Sequence, residues 1–214
     1  MDGAAFGESR GMKALFLNST LKRSPEPSST GALNEYVGEQ LAKLDVDVEH
    51  VRLADHVIEP GVVSEAVSDA DEWPALHDRI LAADIVVFGT PTWLGQPSSI
   101  IKRVLERLDA LLSETSDDGT PAAYNKVAGF IVVGNEDGAH HCIAEMAGAA
   151  IDIGFTVPGQ AWTYWNKGPG PGDEEYLNTD DKEWTHSTGD AMAHNLAHTA
   201  RALVTTPIPK PPNA

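Results

Sequence analysis

Residues 84–90, Asp-Ile-Val-Val-Phe-Gly-Thr, place four consecutive large apolar side chains between an aspartate and a glycine. A short apolar run bounded in this way is typical of a strand that is buried on both faces of a sheet. Similar runs lie at residues 13–18 and 127–133. Strands buried on both faces predict a parallel sheet covered by helices. In a sheet with one face exposed to solvent, the sequence of each strand would alternate apolar and polar residues.

Between these strands lie segments in which apolar residues recur at spacings of three and four, as in amphipathic helices. The predicted helices cover residues 31–44, 71–83, 97–112, 139–153 and 189–204. Residues 46–53 alternate valines with polar residues and predict a second strand, and residues 155–157 are predicted to begin a fifth. Strands therefore alternate with helices five times, which predicts an α/β, doubly wound domain with a five-stranded parallel sheet and helices on both faces.

No internal repeat or clear boundary divides the chain, so one domain is predicted over residues 13–204. Residues 1–12 are predicted to be a flexible N-terminus. Within the domain, residues 164–188 form a long acidic excursion rich in glycine and proline. After the domain, residues 205–214 are predicted to form a proline-rich tail, disordered or draped on the surface.

Composition excludes several classes of function. The chain has 214 residues, with 15 Lys and Arg against 32 Asp and Glu, for a net charge of −17. Binding to nucleic acid needs a concentrated basic face, so it is not expected. No apolar run reaches the roughly 20 residues that span a bilayer, so no membrane insertion is expected. The first twelve residues lack the apolar core of a signal peptide, and Cys142 is the only cysteine, which together predict a cytoplasmic protein.

In a doubly wound sheet, ligands bind at the carboxyl ends of the strands, so three loops are candidates for the site. Loop 1, residues 18–30, carries six Ser and Thr side chains before a helix but neither a GxxxxGK[ST] nor a GxGxxG pattern. Hydroxyls at a helix N-terminus suit a phosphate group. The same residues also suit simple capping of the helix, which is the more common role.

Loop 2, residues 89–98, places Trp93 just past the most buried strand, where a flat apolar ligand would explain it and Gly95 would let the backbone approach closely. Packing of Trp93 under a neighbouring loop or a subunit is the alternative. Loop 3, residues 134–138, offers backbone N–H donors to a ligand, and by itself it also fits a plain turn with no binding role.

Other groupings carry weaker signals. Residues 140–142, His-His-Cys, point in different directions on a helix, and His194 and His198 lack a third ligand, so no metal site is predicted. Ser98 lacks the Gly-x-Ser-x-Gly context of a hydrolase nucleophile. The aromatic residues at 162–165 suit core or subunit packing, or the wall of a substrate pocket.

Taken together, the three loops resemble those of the flavodoxin-like NAD(P)H-dependent FMN reductases and quinone reductases. The resemblance covers residues 13–155. It is carried by Asn18-Ser19-Thr20 with Ser29-Thr30, by Pro91-Thr92-Trp93-Leu94-Gly95 followed by Pro97-Ser98-Ser99 and Ile101-Lys102, and by Gly134 to Gly138.

The resemblance implies a flavodoxin-like fold and non-covalently bound FMN. It implies an enzyme that passes electrons from NAD(P)H through FMN to a quinone, a free flavin or another small acceptor, and a homodimer or homotetramer. No side chain is assigned as catalytic, because the flavin N5 takes the hydride. A flavodoxin-type carrier reduced by a partner protein is the alternative, and a flavin-free scaffold is a remoter one.

The resemblance also assigns the cofactor-binding residues in three groups. The residues assigned to the phosphate are Ser19, Thr20, Leu21, Ser28, Ser29 and Thr30. Those assigned to one side of the ring are Pro91, Thr92, Trp93, Leu94 and Gly95. Those assigned to its other side are Gly134, Asn135, Glu136, Asp137, Gly138 and His140.

Overall fold

The computed structural model describes residues 11–212, so most of the predicted N-terminal segment lies outside the described residues. The strands are β1 (Met12–Asn18), β2 (Val46–Arg52), β3 (Ile85–Trp93), β4 (Gln96–Pro97), β5 (Val127–Gly134) and β6 (Trp162–Asn166). The helices are α1 (Ser29–Ala42), α2 (Trp73–Ala82), α3 (Ser99–Arg107), α4 (Ala139–Asp152) and α5 (Glu183–Thr205).

Five of these strands form one parallel sheet in the order β2-β1-β3-β5-β6. The short β4 pairs antiparallel with the end of β3. Among the parallel strands the order is 2-1-3-4-5, the flavodoxin-like doubly wound arrangement, whose switch point lies between β1 and β3. The predicted fold class is confirmed.

The core has two layers because alternate side chains of each strand enter opposite faces of the sheet. Leu15 and Phe88 belong to the layer that contains α2, α3 and α4, whereas Phe16 and Val87 belong to the layer that contains α1 and α5. All four side chains are buried. Burial on both faces accounts for the uninterrupted apolar runs in the sequence.

The prediction that the fifth strand begins at residues 155–157 is wrong. Thr156 makes only an isolated bridge to Val127, and the strand forms at Trp162–Asn166 instead. Pro158 has no backbone N–H to donate to a ladder, and Gln160 adopts a left-handed conformation with φ 52°, so the chain turns before it rejoins the sheet.

Several boundaries also differ from the prediction. Helix α5 begins at Glu183 rather than 189, so it takes up the end of the acidic excursion, and α3 gives way to 3-10 turns over Leu108–Leu112. Ile208, in the tail, exchanges hydrogen bonds with the side chain of Asn125 at 2.7 and 3.2 Å. No helix within residues 11–212 is both long and apolar enough to cross a bilayer.

Candidate functional site

The carboxyl ends of the central strands open into a cavity of about 290 Å³. It is lined by Thr20, Lys22, Ser28, Ser29, Thr30, Pro91, Thr92, Trp93, Val133, Gly134, Asn135, Trp165, Glu175 and Tyr176. The structure thus brings together residues from all three loops at the switch point. The predicted residues that do not line this cavity are Ser19, Leu21, Leu94, Gly95, Glu136, Asp137, Gly138 and His140.

Loop 1 is organised by Asn18, the last residue of β1. Its Oδ1 accepts a hydrogen bond from the Thr20 N–H at 3.1 Å, and its Nδ2 donates to Ser28 Oγ at 3.3 Å. Ser28 Oγ also accepts from the Gly31 N–H at 3.0 Å, so Ser28 is the N-cap of α1. Capping and cavity lining therefore occur together, and Ser29 and Thr30 follow in the first turn of α1 with its free N–H groups.

Ser19 is fully buried and does not line the cavity. Its hydroxyl donates to the Gly89 carbonyl at 2.8 Å and accepts from Ser98 Oγ at 2.9 Å. Ser98 in turn caps α3 by accepting from the Ile101 N–H. Ser19 thus joins the end of β1 to β3 and to the start of α3.

Loop 2 is a β-hairpin in which Thr92 pairs with Pro97 and Trp93 with Gln96. Its two-residue turn, Leu94-Gly95, has φ values of 52° and 72°. Positive φ at both positions defines a type I′ turn, which matches the twist of the flanking strands and favours glycine at residue 95. The turn leaves Trp93 52% and Leu94 91% exposed, with Trp93 at the cavity.

Thr92 lines the cavity, but its hydroxyl is buried behind the wall. The residue is 3% exposed, and its hydroxyl interacts with the thiol of Cys142 on α4. Thr92 therefore links loop 2 to α4.

Loop 3 contacts loop 2 backbone to backbone. Gly138 has φ 114°, and a Cβ built there would lie 2.7 Å from Gly95 Cα. The Glu136 carboxylate accepts the Leu94 N–H at 2.6 Å. Glu136 and Gly138 therefore position the hairpin, whereas Gly134 and Asn135 line the cavity itself.

His140 lies away from the cavity, in an aromatic cluster. Its ring contacts those of Trp162 and Tyr164 edge-on, with centroids 5.5 and 5.2 Å apart. Tyr164 extends the cluster to Trp184, at 4.8 Å.

The acidic excursion returns to the cavity, which the sequence analysis missed. Asn135 exchanges two hydrogen bonds with Gly172, at 2.7 and 3.1 Å. Glu175 and the buried Tyr176 then reach the wall beside Trp165. Burial raises the pKa of Tyr176 to about 12, so its phenol stays protonated at neutral pH. Of Trp165, Glu175 and Tyr176, only Trp165 was named in the sequence analysis as a candidate for a pocket wall, within the aromatic group at residues 162–165.

The thiol of Cys142 lies close to loop 2, 3.7 Å from the Gly95 carbonyl. Cys142 is buried, and burial raises the pKa of its thiol to about 11, so it is not a reactive thiolate. In the described part of the chain, no group of three or more His, Cys, Asp or Glu side chains is placed to hold a metal ion. The cavity instead combines hydroxyls and a helix N-terminus, which suit a phosphate, with an aromatic and apolar wall, which suits a flat ring.

Comparison with known proteins gives a family match. Residues 12–169 match the model of the NADPH-dependent FMN reductase family. The chain is 36% identical over 205 residues to the 8-demethyl-8-aminoriboflavin-5'-phosphate synthase of Streptomyces davaonensis, covering 92% of this chain and 80% of that protein. It is 40% identical over 202 residues to a protein of Mycobacterium bovis named divalent metal cation transporter MntH, and it spans only 29% of that protein's length.

Solved structures give the same fold. The crystal structure of RosB with a bound 8-demethyl-8-formylriboflavin-5'-phosphate superposes with a TM-score of 0.82 at 34% identity, covering 92% of this chain and 82% of RosB. An NADH:FMN oxidoreductase, EmoB, superposes with a TM-score of 0.60 at 15% identity, covering 94% of this chain and 92% of that one, and supports the fold alone.

Proposed function

The chain belongs to the NADPH-dependent FMN reductase family, and from that premise we propose that it transfers electrons from NAD(P)H through bound FMN to a quinone, a free flavin or another small acceptor. FMN is the cofactor, and the protein is an FMN-dependent oxidoreductase. The identity of the acceptor and the roles of individual residues are the proposal.

The residues of the cavity fit FMN. Thr20, Ser29 and Thr30, with Lys22 nearby, would hold the phosphate at the N-terminus of α1. Trp93 would lie against the ring. The observation that carries the assignment is that residues of all three loops meet in one cavity beside the N-terminus of α1.

When bound, FMN would supply the chemistry that accepts a hydride and passes electrons on, and the chain would bind and orient it. Trp165 and Tyr176 are buried and close the cavity beside β6. Trp93 is half-exposed and leaves the side beside the hairpin accessible. One closed side and one open side suit an enzyme whose nicotinamide substrate must reach the ring.

The test is anaerobic reduction of the protein reconstituted with FMN. We expect NADH or NADPH alone to bleach the flavin absorption, and a small quinone or free flavin to restore it over many turnovers. Photoreduction serves as the control that the flavin is reducible. Bleaching by light but by neither nicotinamide would overturn the reductase and favour an electron carrier reduced by a partner protein.

A second candidate function is the chemical conversion of FMN into a different riboflavin 5'-phosphate, with FMN as the substrate rather than the cofactor. It is favoured by the match to the synthase from Streptomyces davaonensis, which covers 92% of this chain and so extends beyond residue 169, where the family model ends. That added part includes residues of the excursion and α5. Mass spectrometry of the flavin after many turnovers separates the two functions, since a reductase returns FMN of unchanged mass.

The homodimer or homotetramer and the cytoplasmic location implied by the resemblance remain predictions. Light scattering coupled to size-exclusion chromatography measures the oligomeric state directly.

A further inference from the structure

The acidic excursion brings one carboxylate to the rim of the cavity. Glu175 lines the cavity and is exposed, whereas the next residue, Tyr176, is buried. Among the described residues that line the cavity, Glu175 and Lys22 are the charged ones. Glu175 lies beyond residue 169, where the match to the family model ends. The acidic group at the rim therefore belongs to the excursion and not to the part of the chain that matches the family.

The backbone is fixed on both sides of Glu175. On one side, Glu174 forms a salt bridge with Lys167 at 3.2 Å. On the other side, the hydroxyl of Tyr176 lies 3.0 Å from Nε2 of His186 on α5. These contacts hold Glu175 at the rim between them.

The Glu175 carboxylate is not neutralised by contact with a cation. Within residues 11–212 it forms no hydrogen bond and has no Lys, Arg or His nitrogen within 4.0 Å. Lys182 lies over the ring of Tyr176, with Nζ 4.6 Å from the centroid. Nζ of Lys22 donates to the Pro27 carbonyl at 3.5 Å. Both lysines are thus directed to other groups.

The other charges around the cavity do not offset this carboxylate once FMN is bound. Lys22, which we placed beside the phosphate, would face a dianion. On the hairpin side, the Glu136 carboxylate accepts the Leu94 N–H at 2.6 Å and adds a second negative charge. Lys102, near the start of α3, is ion-paired with Glu145. The FMN-loaded site is therefore negative at its opening.

The cavity is small enough for a charge at its rim to act on a ligand inside it. A cavity of about 290 Å³ is roughly 8 Å across, which is about the Debye length at 0.15 M salt. Attraction and repulsion between charges also strengthen where a ligand displaces water. The charge of an incoming molecule should therefore affect how tightly it binds.

We propose that Glu175 makes the enzyme select its electron acceptor by charge, favouring an aromatic acceptor that is cationic or neutral over one that is anionic. This inference rests on the proposed reductase function, because it concerns the molecule that takes electrons from the flavin. A quinone acceptor gains two electrons and two protons, which NAD(P)H supplies as a hydride and solvent as one proton. Among free flavins, neutral riboflavin would be a better acceptor than FMN. Glu175 is a specificity-determining residue for the acceptor.

The first experiment measures binding to the FMN-loaded protein by calorimetry at 0.15 M salt, where the net charge of the whole chain is largely screened. The probes are two redox-inert ions with the same ring, trimethyl(2-naphthyl)ammonium and naphthalene-2-sulfonate. We expect the cation to bind at least about tenfold more tightly than the anion, Glu175→Gln to reduce this ratio below about threefold, and Glu175→Lys to invert it. Asp173→Asn removes the same charge from an exposed residue of the excursion that does not line the cavity. It is the matched control and should keep the preference.

The second experiment follows reoxidation of the photoreduced, FMN-loaded protein in a stopped-flow instrument, with no nicotinamide present. The acceptors are two 1,4-naphthoquinones, one with a trimethylammonium group and one with a sulfonate group. The cationic quinone should reoxidise the flavin of the wild type at least about tenfold faster, and the ratio should fall below about threefold in Glu175→Gln.

Equal binding of the two ions to the wild type, a preference that persists in Glu175→Gln, or an equal loss in Asp173→Asn would overturn the proposal. A changed affinity for FMN in Glu175→Gln with an unchanged preference between the ions would place the carboxylate against the cofactor and overturn it as well. Failure of the reductase function looks different. In that case NADH and NADPH leave the flavin oxidised, while the two ions still bind unequally and the photoreduced flavin still discriminates between the two quinones.

Discussion

Thr30 is buried in the first turn of α1 and lines the cavity where the phosphate of FMN would bind. Thr30→Asp adds a negative charge that a helix N-terminus tolerates, so the variant should fold. The same charge repels a phosphate dianion. We expect FMN affinity to fall at least tenfold, or about 1.4 kcal/mol, in a fluorescence titration. Riboflavin, which lacks the phosphate, is the control and should bind equally to both proteins; equal FMN affinity would place the phosphate elsewhere.

A second residue-scale feature is the buried ion pair between Arg107 and Asp71. The two side chains are inaccessible, and Arg107 Nη1 lies 2.7 Å from Asp71 Oδ2. The guanidinium also donates to the carbonyls of Glu59, Val63 and Glu65, so it holds the long segment between β2 and α2. Burial alone would raise the pKa of Asp71, but hydrogen bonds from backbone N–H groups and Arg107 lower it to about 2.

Asp71→Asn should destabilise the protein by about 3–5 kcal/mol, because it leaves the buried Arg107 without a counter-charge. Urea unfolding measures the loss, and Asp69→Asn, at an exposed neighbour, is the control. Since folding lowers the pKa of Asp71 from 3.8 to about 2, its contribution is present above pH 4 and is lost as the pH falls through this window. An acid-unfolding profile that is identical in Asp71→Asn and wild type would contradict this account.

At the scale of elements, the β3–β4 hairpin and loop 3 fit together through two glycines. A Cβ at Gly95 meets open space, so Gly95→Ala costs only the left-handed backbone, about 1–2 kcal/mol. A Cβ at Gly138 meets the Gly95 backbone at 2.7 Å, so Gly138→Ala must separate the two loops. We expect Gly138→Ala to weaken FMN binding more than about tenfold and Gly95→Ala to stay within about threefold. Equal effects in the titration would show that the contact does not shape the site.

At the scale of the whole molecule, bound FMN should stabilise the folded domain against unfolding, because it would contact several elements at once. Residues of the cavity come from the ends of β1, β3, β5 and β6 and from the excursion. Ligand that binds only the folded state, at about 100 times its Kd, adds about 2.7 kcal/mol to the free energy of unfolding. For a domain of this size we expect Tm to rise by roughly 5–10 °C in a calorimetric scan. Thr30→Asp should show a smaller rise at the same FMN concentration, and no rise in the wild type would contradict the proposed site.

The fold and much of the site were predictable because they depend on local pattern. The apolar run at residues 85–88 predicted a strand buried on both faces, and the Ser and Thr residues at 28–30 predicted a helix start that could hold phosphate. The error at residues 155–157 has the same origin, since a short apolar run carries no information on whether the chain stays in register with a neighbouring strand.

The amino-acid sequence by itself determined the parallel sheet, the place of the three loops at its carboxyl edge and the residue types that meet there, because burial and backbone geometry act over a few residues. Only the tertiary structure decided that Glu175 and Tyr176 reach the cavity, that Asn135 bonds to Gly172, and that Arg107 pairs with Asp71. Those residues are far apart in the chain. Their contacts depend on how helices and loops pack across the sheet, and no local pattern records that packing.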